Sequence, residues 1–438
     1  MSTVAVPVRE PRMTGDLRAD AAALRYRTER DDARLADLPA KPERTPDQQQ
    51  AADGLHSSSR ATRSRFLAAH APAVYAELTE DSTLWLRIAE LASAAAGRFP
   101  GLVPTRDQLD HERRHRQQDK EAREIDQALF FHRLLSVPAV GRHVLDAMRR
   151  PTPRALDLLP GFRDGGLTEF ATVRLERDGD IGRVTLANPH ALNAEDNQLV
   201  ADLETAVDLV LLDDGIRAGL LRGATITHPR YAGRRVFSAG INLKHLHQGR
   251  ISYVDFLLGR EMGVLNKIVR GLRTDDGTPA EKPWVAAVDT FAIGGGMQML
   301  LTCDRVVAGS DAYFTLPAAQ EGIVPGVANL RLGRFVGARL ARDIILNGRK
   351  LYASEPEARM LCEEIVDSGE VGTAADRAAE RLTAPAVVAN RHMLNLADEP
   401  PSAFLDYLTE FALVQGERLY SADVLAKVGA NWSTGERR

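Results

Sequence analysis

FSAGINLK, residues 237–244, and AIGGGMQ, residues 292–298, are the two stretches that decide the fold. Each joins a short apolar run to a turn of small residues and then to residues that favour a helix. Such a turn leaves the first N–H groups of the helix without helical acceptors, and these donors attract negative charge. One segment alone is equally typical of an ordinary glycine-rich turn, but two that converge on one carbonyl oxygen would form an oxyanion hole.

Strand and helix patterns alternate on both sides of these stretches. Helical periodicity extends over residues 199–212 and 256–272, with a short helix over 297–302. Apolar runs predict strands at 173–175, 184–186, 218–222, 236–237, 284–288, 305–308 and 313–316. Because strands that alternate with helices favour a parallel-rich sheet, we expect an α/β fold with its core over residues 166–335.

The regions before and after this core are dominated by helical patterns. In residues 1–165, a ragged or partly helical arm to about residue 65 precedes amphipathic helices. Pro151, Pro153 and Pro160 interrupt the pattern, so we place the main boundary within residues 160–168. Residues 336–438 are predicted to form a helical C-terminal region.

Composition excludes several classes of protein. The chain has 438 residues, a net charge of −4, 44% hydrophobic residues and 26% charged residues, which is ordinary for a globular protein. Because Cys303 and Cys362 are the only cysteines, a disulfide framework or a cysteine-rich zinc site is excluded. Without an excess of basic residues or a long apolar run, the sequence favours a soluble, cytoplasmic protein that binds neither nucleic acid nor membrane.

Two local patterns suggest cofactors but lack the context that cofactors need. HERRH, residues 111–115, matches a zinc-protease pattern, yet its flanks are polar and no third ligand follows at short spacing. We therefore interpret it as a solvated, charged helix face. GGG, residues 294–296, lacks the spacing and the later acidic residue of dinucleotide-binding turns. The sequence therefore predicts no metal, flavin or nicotinamide site.

The two turns, together with three further segments, resemble the signature segments of the crotonase (enoyl-CoA hydratase/isomerase) superfamily. The further segments are NPHALNA, residues 188–194, FTLP, residues 314–317, and GIVPG, residues 322–326. The resemblance covers about residues 170–348 and implies a crotonase-like spiral of ββα units that binds an acyl-CoA thioester. It implies that the N–H groups of Ile241 and Gly295 hold the thioester oxygen, with the pantetheine running along residues 240–244.

Departures from the superfamily pattern bear on the reaction. Hydratases of this superfamily have one glutamate two residues after the last glycine of the GGG turn and another just after the later proline. Gln298 and Ala318 occupy these positions here. Because an amide or a methyl group cannot act as a general base near pH 7, simple addition of water to an enoyl-CoA is disfavoured. Stabilisation of an enolate is still compatible with these residues, since it needs only the oxyanion hole.

Over nearly its full length, the chain is similar to a branch of the superfamily that oxygenates 3,5-dihydroxyphenylacetyl-CoA. The long N-terminal extension, Glu195, Arg260 and Gln298 carry this resemblance. It implies a dioxygenase of dihydroxyphenylglycine and glycopeptide antibiotic biosynthesis that uses no metal, flavin or haem and releases 3,5-dihydroxyphenylglyoxylate and CoA. It also implies a homo-oligomer, a hexamer built as a dimer of trimers, with the C-terminal region making the trimer. The alternative is another enolate-forming member, such as an isomerase, decarboxylase or thioesterase.

The resemblance also implies which residues contact the acyl-CoA. These positions are Glu195, Arg260, Gln298, His228, Gly240, Leu243 and Gly296. The first three are expected at the ring hydroxyls and His228 near the thioester. Bulky Ile241 and Leu243 suit a dry pocket for dioxygen, although plain packing explains them equally.

The three expected ring contacts each have a structural alternative. Glu195 could be a first-turn carboxylate of a helix. Arg260 could pair with Glu261 or Asp255 on the surface, and Gln298 could be solvated. No residue identifies itself as the base that removes the α proton of the substrate.

Overall fold

Residues 17–165 fold into helices. The computed structural model describes residues 13–275, 277 and 279–427. The helices of this part are α1 (Leu17–Ala36), α2 (Pro46–Leu78), α3 (Ile88–Arg98), α4 (Arg106–Glu112), α5 (Glu124–Leu135), α6 (Pro138–Met148) and α7 (Pro153–Gly165). Gly166 ends α7 at φ +68°, a conformation that favours glycine after a helix. The first strand starts at Leu167, so the change from helix to sheet falls at residues 165–167.

The sequence up to residue 65 is more regular than the ragged or partly helical arm that we expected, since most of it lies in two long helices. α1 and α2 pack against each other. A capping box begins α2, since Thr45 accepts the N–H of Gln48 and the Gln48 side chain accepts that of Thr45. His70 Nε2 lies 2.7 Å from a carboxylate oxygen of Asp20 and joins the two helices. The extent of helix was underestimated because polar and alanine side chains fill many buried positions and weaken the apolar periodicity. Residues 1–12 lie outside the described residues.

A seven-stranded sheet forms the centre of the remaining chain. The strands of this part of the chain, within that sheet and outside it, are β1 (Leu167–Glu169), β2 (Val173–Asp178), β3 (Ile181–Leu186), β4 (Ala218–Gly223), β5 (Leu272–Arg273), β6 (Pro279–Ala280), β7 (Trp284–Val288), β8 (Phe291–Ile293), β9 (Arg305–Gly309), β10 (Tyr313–Thr315), β11 (Leu351–Tyr352) and β12 (Glu364–Val366). The seven strands of the central sheet lie in the order β1-β2-β3-β4-β7-β9-β12. Pairing is antiparallel from β1 to β3 and parallel from β3 to β12. The predicted α/β class is confirmed.

A second, shorter set of strands positions the two glycine turns. β8 pairs in parallel with β10, and isolated parallel bridges join Ser238 to Ala292 and Glu195 to Ile241. Each of these segments follows a strand of the main sheet and precedes a helix, so the chain repeats a strand–strand–helix unit. The repetition brings the turns that begin at Gly240 and Gly294 next to each other.

The helices of the second part of the chain surround this sheet. They are α8 (Asn197–Leu212), α9 (Leu243–His247), α10 (Gly259–Met262), α11 (Val264–Arg270), α12 (Gly295–Leu300), α13 (Ala318–Glu321), α14 (Ala328–Asn347), α15 (Val371–Glu380), α16 (Pro385–Asp398) and α17 (Pro401–Arg418). None of the helices in the described ranges is long and apolar enough to cross a membrane.

The C-terminal region is not purely helical, and its expected start needs correction. The boundary between residues 335 and 336 falls inside α14. Beyond it, β11 pairs with β10, and β12 pairs with β9 at an edge of the main sheet. These strands have only two or three residues, which is too short for a recognisable alternating pattern in the sequence. Residues 428–438 lie outside the described residues.

HERRH is only partly the solvated helix face that we expected, since His111, Arg113 and Arg114 are exposed but Glu112 is not. α4 ends at Glu112, which places His115 beyond the helix. The Glu112 side chain is buried and accepts the N–H of Arg123 at 3.2 Å. Burial, with the nearby charge of Glu124, raises the pKa of Glu112 to about 7, against the opposing effect of Lys120. Among the described residues, no group of three His, Cys, Asp or Glu side chains is placed to hold a metal ion.

The pKa of Glu112 predicts a pH-dependent effect of Glu112→Gln. The pKa of this carboxyl is higher in the folded than in the unfolded chain. The folded protein therefore loses stability as the pH rises from about 4.5 to about 7. The amide cannot ionise, so the variant should gain stability relative to the parent by up to about 3 kcal/mol between pH 5 and pH 8. Denaturant unfolding at both pH values measures this difference. An identical difference at both pH values would contradict the assignment.

Candidate active site

The two glycine turns approach so closely that one of them has no room for a side chain. Gly240 has φ +81°, and a Cβ atom there would lie 2.8 Å from the carbonyl oxygen of Ile293 and 3.1 Å from the nitrogen of Gly295. Glycine is therefore required at residue 240 for both conformation and space. The N–H of Gly294 donates to the carbonyl of Thr315 at 2.8 Å and fixes the second turn.

The N–H groups of Ile241 and Gly295 both occupy positions where the backbone leaves them without an acceptor. The bridge between Glu195 and Ile241 uses the carbonyl of Gly240 and the N–H of Asn242, which turns the N–H of Ile241 to the other side. Gly295 is the first residue of α12, so its N–H precedes the helical hydrogen bonds. Both residues line one cavity. The structure thus brings together the two residues that we expected to form an oxyanion hole.

Arg260 lies at the centre of a buried cluster beside these turns. Its Nε donates to Oε2 of Glu195 at 2.6 Å. Its Nη1 donates to Oε1 of Glu261 at 2.7 Å and to Oε1 of Gln298 at 2.8 Å. Its Nη2 donates to the carbonyl of Gly295 at 2.7 Å and to Oε1 of Glu195 at 3.3 Å. Every nitrogen of the guanidinium is used, and the side chains of Arg260, Glu195 and Glu261 are at most 5% exposed.

The chain before and after Arg260 differs from the single long helix that we predicted over residues 256–272. Tyr253–Leu258 forms a π-helical turn that leads into α10. Gly263, with φ −93° and ψ −101°, then separates α10 from α11. The N–H of Tyr253 donates to Glu124 of α5 at 2.9 Å, and its hydroxyl donates to the carbonyl of Ala412 at 2.6 Å. Helices from both ends of the chain therefore fix the segment that carries Arg260.

A cavity lies against this cluster and the oxyanion turns. Glu195, Ile241, Arg260, Gly295 and Gln298, all expected site residues, line it. Much of the remaining lining is apolar and comes from Phe256, Leu257, Leu316, Ile323, Val324 and Phe411. A cavity of this kind can hold an aromatic group against the Arg260 cluster while two N–H groups bind an oxyanion.

The other expected substrate contacts do not line this cavity. Gly240 is buried against the second glycine turn, and Gly296 is buried against Ser238. Leu243 begins α9 and is half-buried. His228 is exposed on a turn, where its Nδ1 accepts the N–H of Arg230 at 3.3 Å. The role of His228 near a thioester stays a prediction.

Two glutamates of the cavity were not expected from the sequence. Glu261 lies next to Arg260 in the chain and was considered only as a partner in a surface pair, but it is buried and also accepts the N–H of Val327 at 3.1 Å. Glu321 ends the four-residue helix α13 and lines the cavity with Ala318. A helix this short has no periodicity that could have shown which side chains face the cavity.

Comparison with known proteins identifies the family. Residues 176–399, about half of the chain, match the enoyl-CoA hydratase/isomerase family. The chain belongs to this family. The match confirms the resemblance to the crotonase superfamily that the glycine turns indicated. The fold is also similar to that of an enoyl-CoA hydratase/isomerase from Xanthobacter autotrophicus Py2, with a TM-score of 0.51, 24% identity and coverage of 61% of this chain and 96% of that chain.

Two relatives of this chain differ in how much of the chain they share. A short-chain-enoyl-CoA hydratase from Clostridium acetobutylicum is 30% identical over 223 residues, which cover 50% of this chain and 78% of that protein. A (3,5-dihydroxyphenyl)acetyl-CoA 1,2-dioxygenase from Amycolatopsis orientalis is 52% identical over 421 residues, which cover 95% of this chain and 97% of that protein. The second similarity includes nearly all of the N-terminal helices as well as the core.

Proposed function

We propose that this chain is a cofactor-independent dioxygenase that converts (3,5-dihydroxyphenyl)acetyl-CoA and dioxygen to 3,5-dihydroxyphenylglyoxylate and CoA. The observation that carries this proposal is the 52% identity to the Amycolatopsis orientalis dioxygenase over 95% of this chain. Since that similarity extends through the N-terminal helices, the shared core of the family does not explain it. Gln298 and Ala318, at the positions of the hydratase glutamates, add support against a hydratase.

The first chemical step of this reaction is the formation of an enolate. The thioester carbonyl and the aryl ring both acidify the α proton of the substrate. The N–H groups of Ile241 and Gly295 stabilise the negative oxygen, and loss of one such donor costs about 3 kcal/mol of the barrier. The apolar side chains of the cavity exclude water, which strengthens these hydrogen bonds.

The Arg260 cluster recognises the hydroxyl groups of the ring in this proposal. Arg260 donates to Oε1 of Gln298 and thereby orients the amide so that its Nε2 remains a donor for a phenolic oxygen. Glu195 accepts from the other hydroxyl and moves electron density into the ring. Both effects favour an electron-rich carbanion next to the oxyanion hole.

The substrate carbanion is itself the reductant of dioxygen. It transfers one electron to dioxygen, and recombination of the two radicals forms a peroxide on the α carbon. The terminal peroxide oxygen then attacks the thioester carbonyl and expels CoA. Cleavage of the O–O bond with loss of the remaining α proton leaves the arylglyoxylate. Because the electrons come from the substrate, the sequence of steps requires no metal, flavin or haem.

We further propose that the enzyme is a homohexamer, a dimer of trimers, and works in the cytoplasm. Met393 and Leu394 of α16, each 62% exposed, are apolar side chains that a subunit contact would cover. The two cysteines are free and buried, which suits a reducing compartment.

Turnover under heavy-isotope dioxygen tests the proposed function. Protein stripped of metal by a chelator should consume dioxygen, release CoA and give a product that carries both heavy oxygen atoms, one in the carboxylate and one in the ketone. Rapid quenching and mass analysis limit the loss of the ketone label to water. Activity that the chelator abolishes and iron restores would contradict a cofactor-independent reaction. Turnover under strict anaerobiosis, with no heavy oxygen in the product, would favour an isomerase, decarboxylase or thioesterase instead.

A further inference from the structure

α13 presents a carboxylate to the cavity one helical turn after the position at which hydratases have one. Ala318 and Glu321 are three residues apart in α13, so their side chains lie on the same face of the helix. Both residues line the cavity that also contains Ile241 and Gly295. Although residue 318 is alanine, this wall of the cavity therefore still has an acid–base group. That group is Glu321, one helical turn further along α13.

The three carboxylates of the cavity differ in their partners. Arg260 donates to Glu195 at 2.6 Å and to Glu261 at 2.7 Å. Both carboxylates are thus already engaged by the guanidinium in ion pairs. The Glu321 side chain has no hydrogen bond or ion pair to any residue within the described ranges, and burial alone raises its pKa to about 7. Of the three, Glu321 is the one whose charge a guanidinium does not stabilise.

Charged groups on the elements next to α13 are engaged elsewhere. Arg418 donates to the carbonyl of Gly322 at 2.7 Å and to Asp423 at 2.5 Å. Lys427 donates to the carbonyl of Ala319 at 3.4 Å, on the exposed side of α13. The apolar Ile323 and Phe411 line the same cavity as Glu321, together with the Arg260 cluster.

We propose that Glu321 is the general base that removes the α proton of the acyl-CoA substrate. This inference rests on the proposed function for the identity of the substrate. A carboxylate oxygen forms an O–H bond as the α C–H bond breaks, and the electron pair moves into the enolate, whose oxygen the N–H groups of Ile241 and Gly295 hold. A base that titrates near the working pH combines a large deprotonated fraction with a useful proton affinity.

Exchange of the α proton with solvent deuterium, measured without dioxygen, isolates this step. Under anaerobic conditions in deuterated water, the parent protein should exchange the α protons of (3,5-dihydroxyphenyl)acetyl-CoA. Glu321→Gln should slow this exchange by about 100-fold or more, a typical contribution of a general base. The affinity for the substrate should stay unchanged. The parent rate should rise through about pH 7, the pKa of Glu321, and the variant should lack this rise.

Two further variants separate a chemical role from a structural one. Gln320→Ala, an exposed neighbour on the same helix, should exchange at the parent rate. Glu321→Ala should regain exchange when acetate or formate is added, because a small carboxylate fits the vacated space. Rescue of this kind supports the assignment even if the Gln variant folds poorly, and failure of every carboxylate to rescue a folded Glu321→Ala protein would contradict it.

The same measurements distinguish this inference from the proposed function. If Glu321→Gln exchanges the α protons as fast as the parent, Glu321 is not the base, whereas oxygen consumption by the parent still supports the dioxygenase. If the parent exchanges protons through Glu321 but consumes no dioxygen, the base assignment holds and the dioxygenase proposal fails.

Discussion

Arg260→Met is expected to lower the free energy of unfolding by about 3–5 kcal/mol, the usual cost of leaving buried charges without their partner. The substitution removes the donors that Glu195 and Glu261 share. Both carboxylates would stay in a cavity wall that is almost closed to water, and the amide of Gln298 would lose the contact that orients it. Turnover should fall at least 1,000-fold, since ring recognition and the carbonyl of Gly295 both depend on this guanidinium.

A matched substitution in an exposed ion pair tests whether burial causes the effect. Arg25 and Glu29 form a salt bridge within α1 whose side chains are 59% and 58% exposed. Arg25→Met should therefore change the free energy of unfolding by less than about 1 kcal/mol and leave turnover intact. Denaturant unfolding and oxygen consumption measure both variants. Equal losses of stability in the two variants would show that the buried cluster is not specially dependent on Arg260.

Arg260→Lys separates charge from geometry in the same cluster. Lysine keeps the positive charge but has three donors on a single nitrogen, whereas the guanidinium of Arg260 bonds through all of its nitrogens to four residues. Stability should be partly restored relative to Arg260→Met, but turnover should remain low. Restored turnover would mean that charge alone, without the planar arrangement of donors, supports catalysis.

The glycine turns could be predicted from the sequence because their chemistry is local. A glycine run before a helix leaves free N–H groups wherever it occurs. The pairing of Gly240 with Gly294 then follows from the order of strands and helices. The predicted strand at residues 284–288 has the same bounds as β7 for a related reason, since it is a continuous buried apolar run.

The Arg260 cluster could not be predicted in the same way, because it depends on long-range contacts. The sequence left a surface pair between Arg260 and Glu261 open, and the two residues do pair. Their burial, however, requires Glu195 from a distant loop and Gln298 from α12. The π-helical turn before Arg260 begins at Tyr253, whose N–H donates to Glu124, a residue more than a hundred positions earlier. Neither hydrophobic periodicity nor secondary-structure propensity can predict partners that are so distant in the sequence.

Long-range contacts also connect the N-terminal helices to the segment that carries Arg260. Glu124 of α5 bonds the N–H of Tyr253, and its other carboxylate oxygen accepts the hydroxyl of Tyr420 near the C-terminus. Arg87 of the N-terminal part donates to Glu204 of α8, which also pairs with Lys267 of α11. The segment that carries Arg260 is therefore held from several sides, as a preorganised site requires.

Gly240→Ala is expected to reduce kcat by about 100-fold or more, the effect of losing an oxyanion donor. A methyl group at this position would lie 2.8 Å from the carbonyl oxygen of Ile293 and 3.1 Å from the nitrogen of Gly295. Both neighbours are backbone atoms, so no side chain can move aside. The two turns must separate, and their N–H groups would no longer converge on one oxygen. The KM for the acyl-CoA should change less than kcat, because the oxyanion forms in the transition state.

Gly233→Ala is the matched control for conformational strain. Gly233 has φ +79°, close to the +81° of Gly240, but a Cβ atom there meets nothing within 4 Å. Both substitutions force alanine into the left-handed region, at a cost of about 1–2 kcal/mol. Since only Gly240→Ala adds the contact with the second turn, only this variant should lose turnover, while both lose similar stability from strain. Equal kcat values for the two variants would place the oxyanion elsewhere.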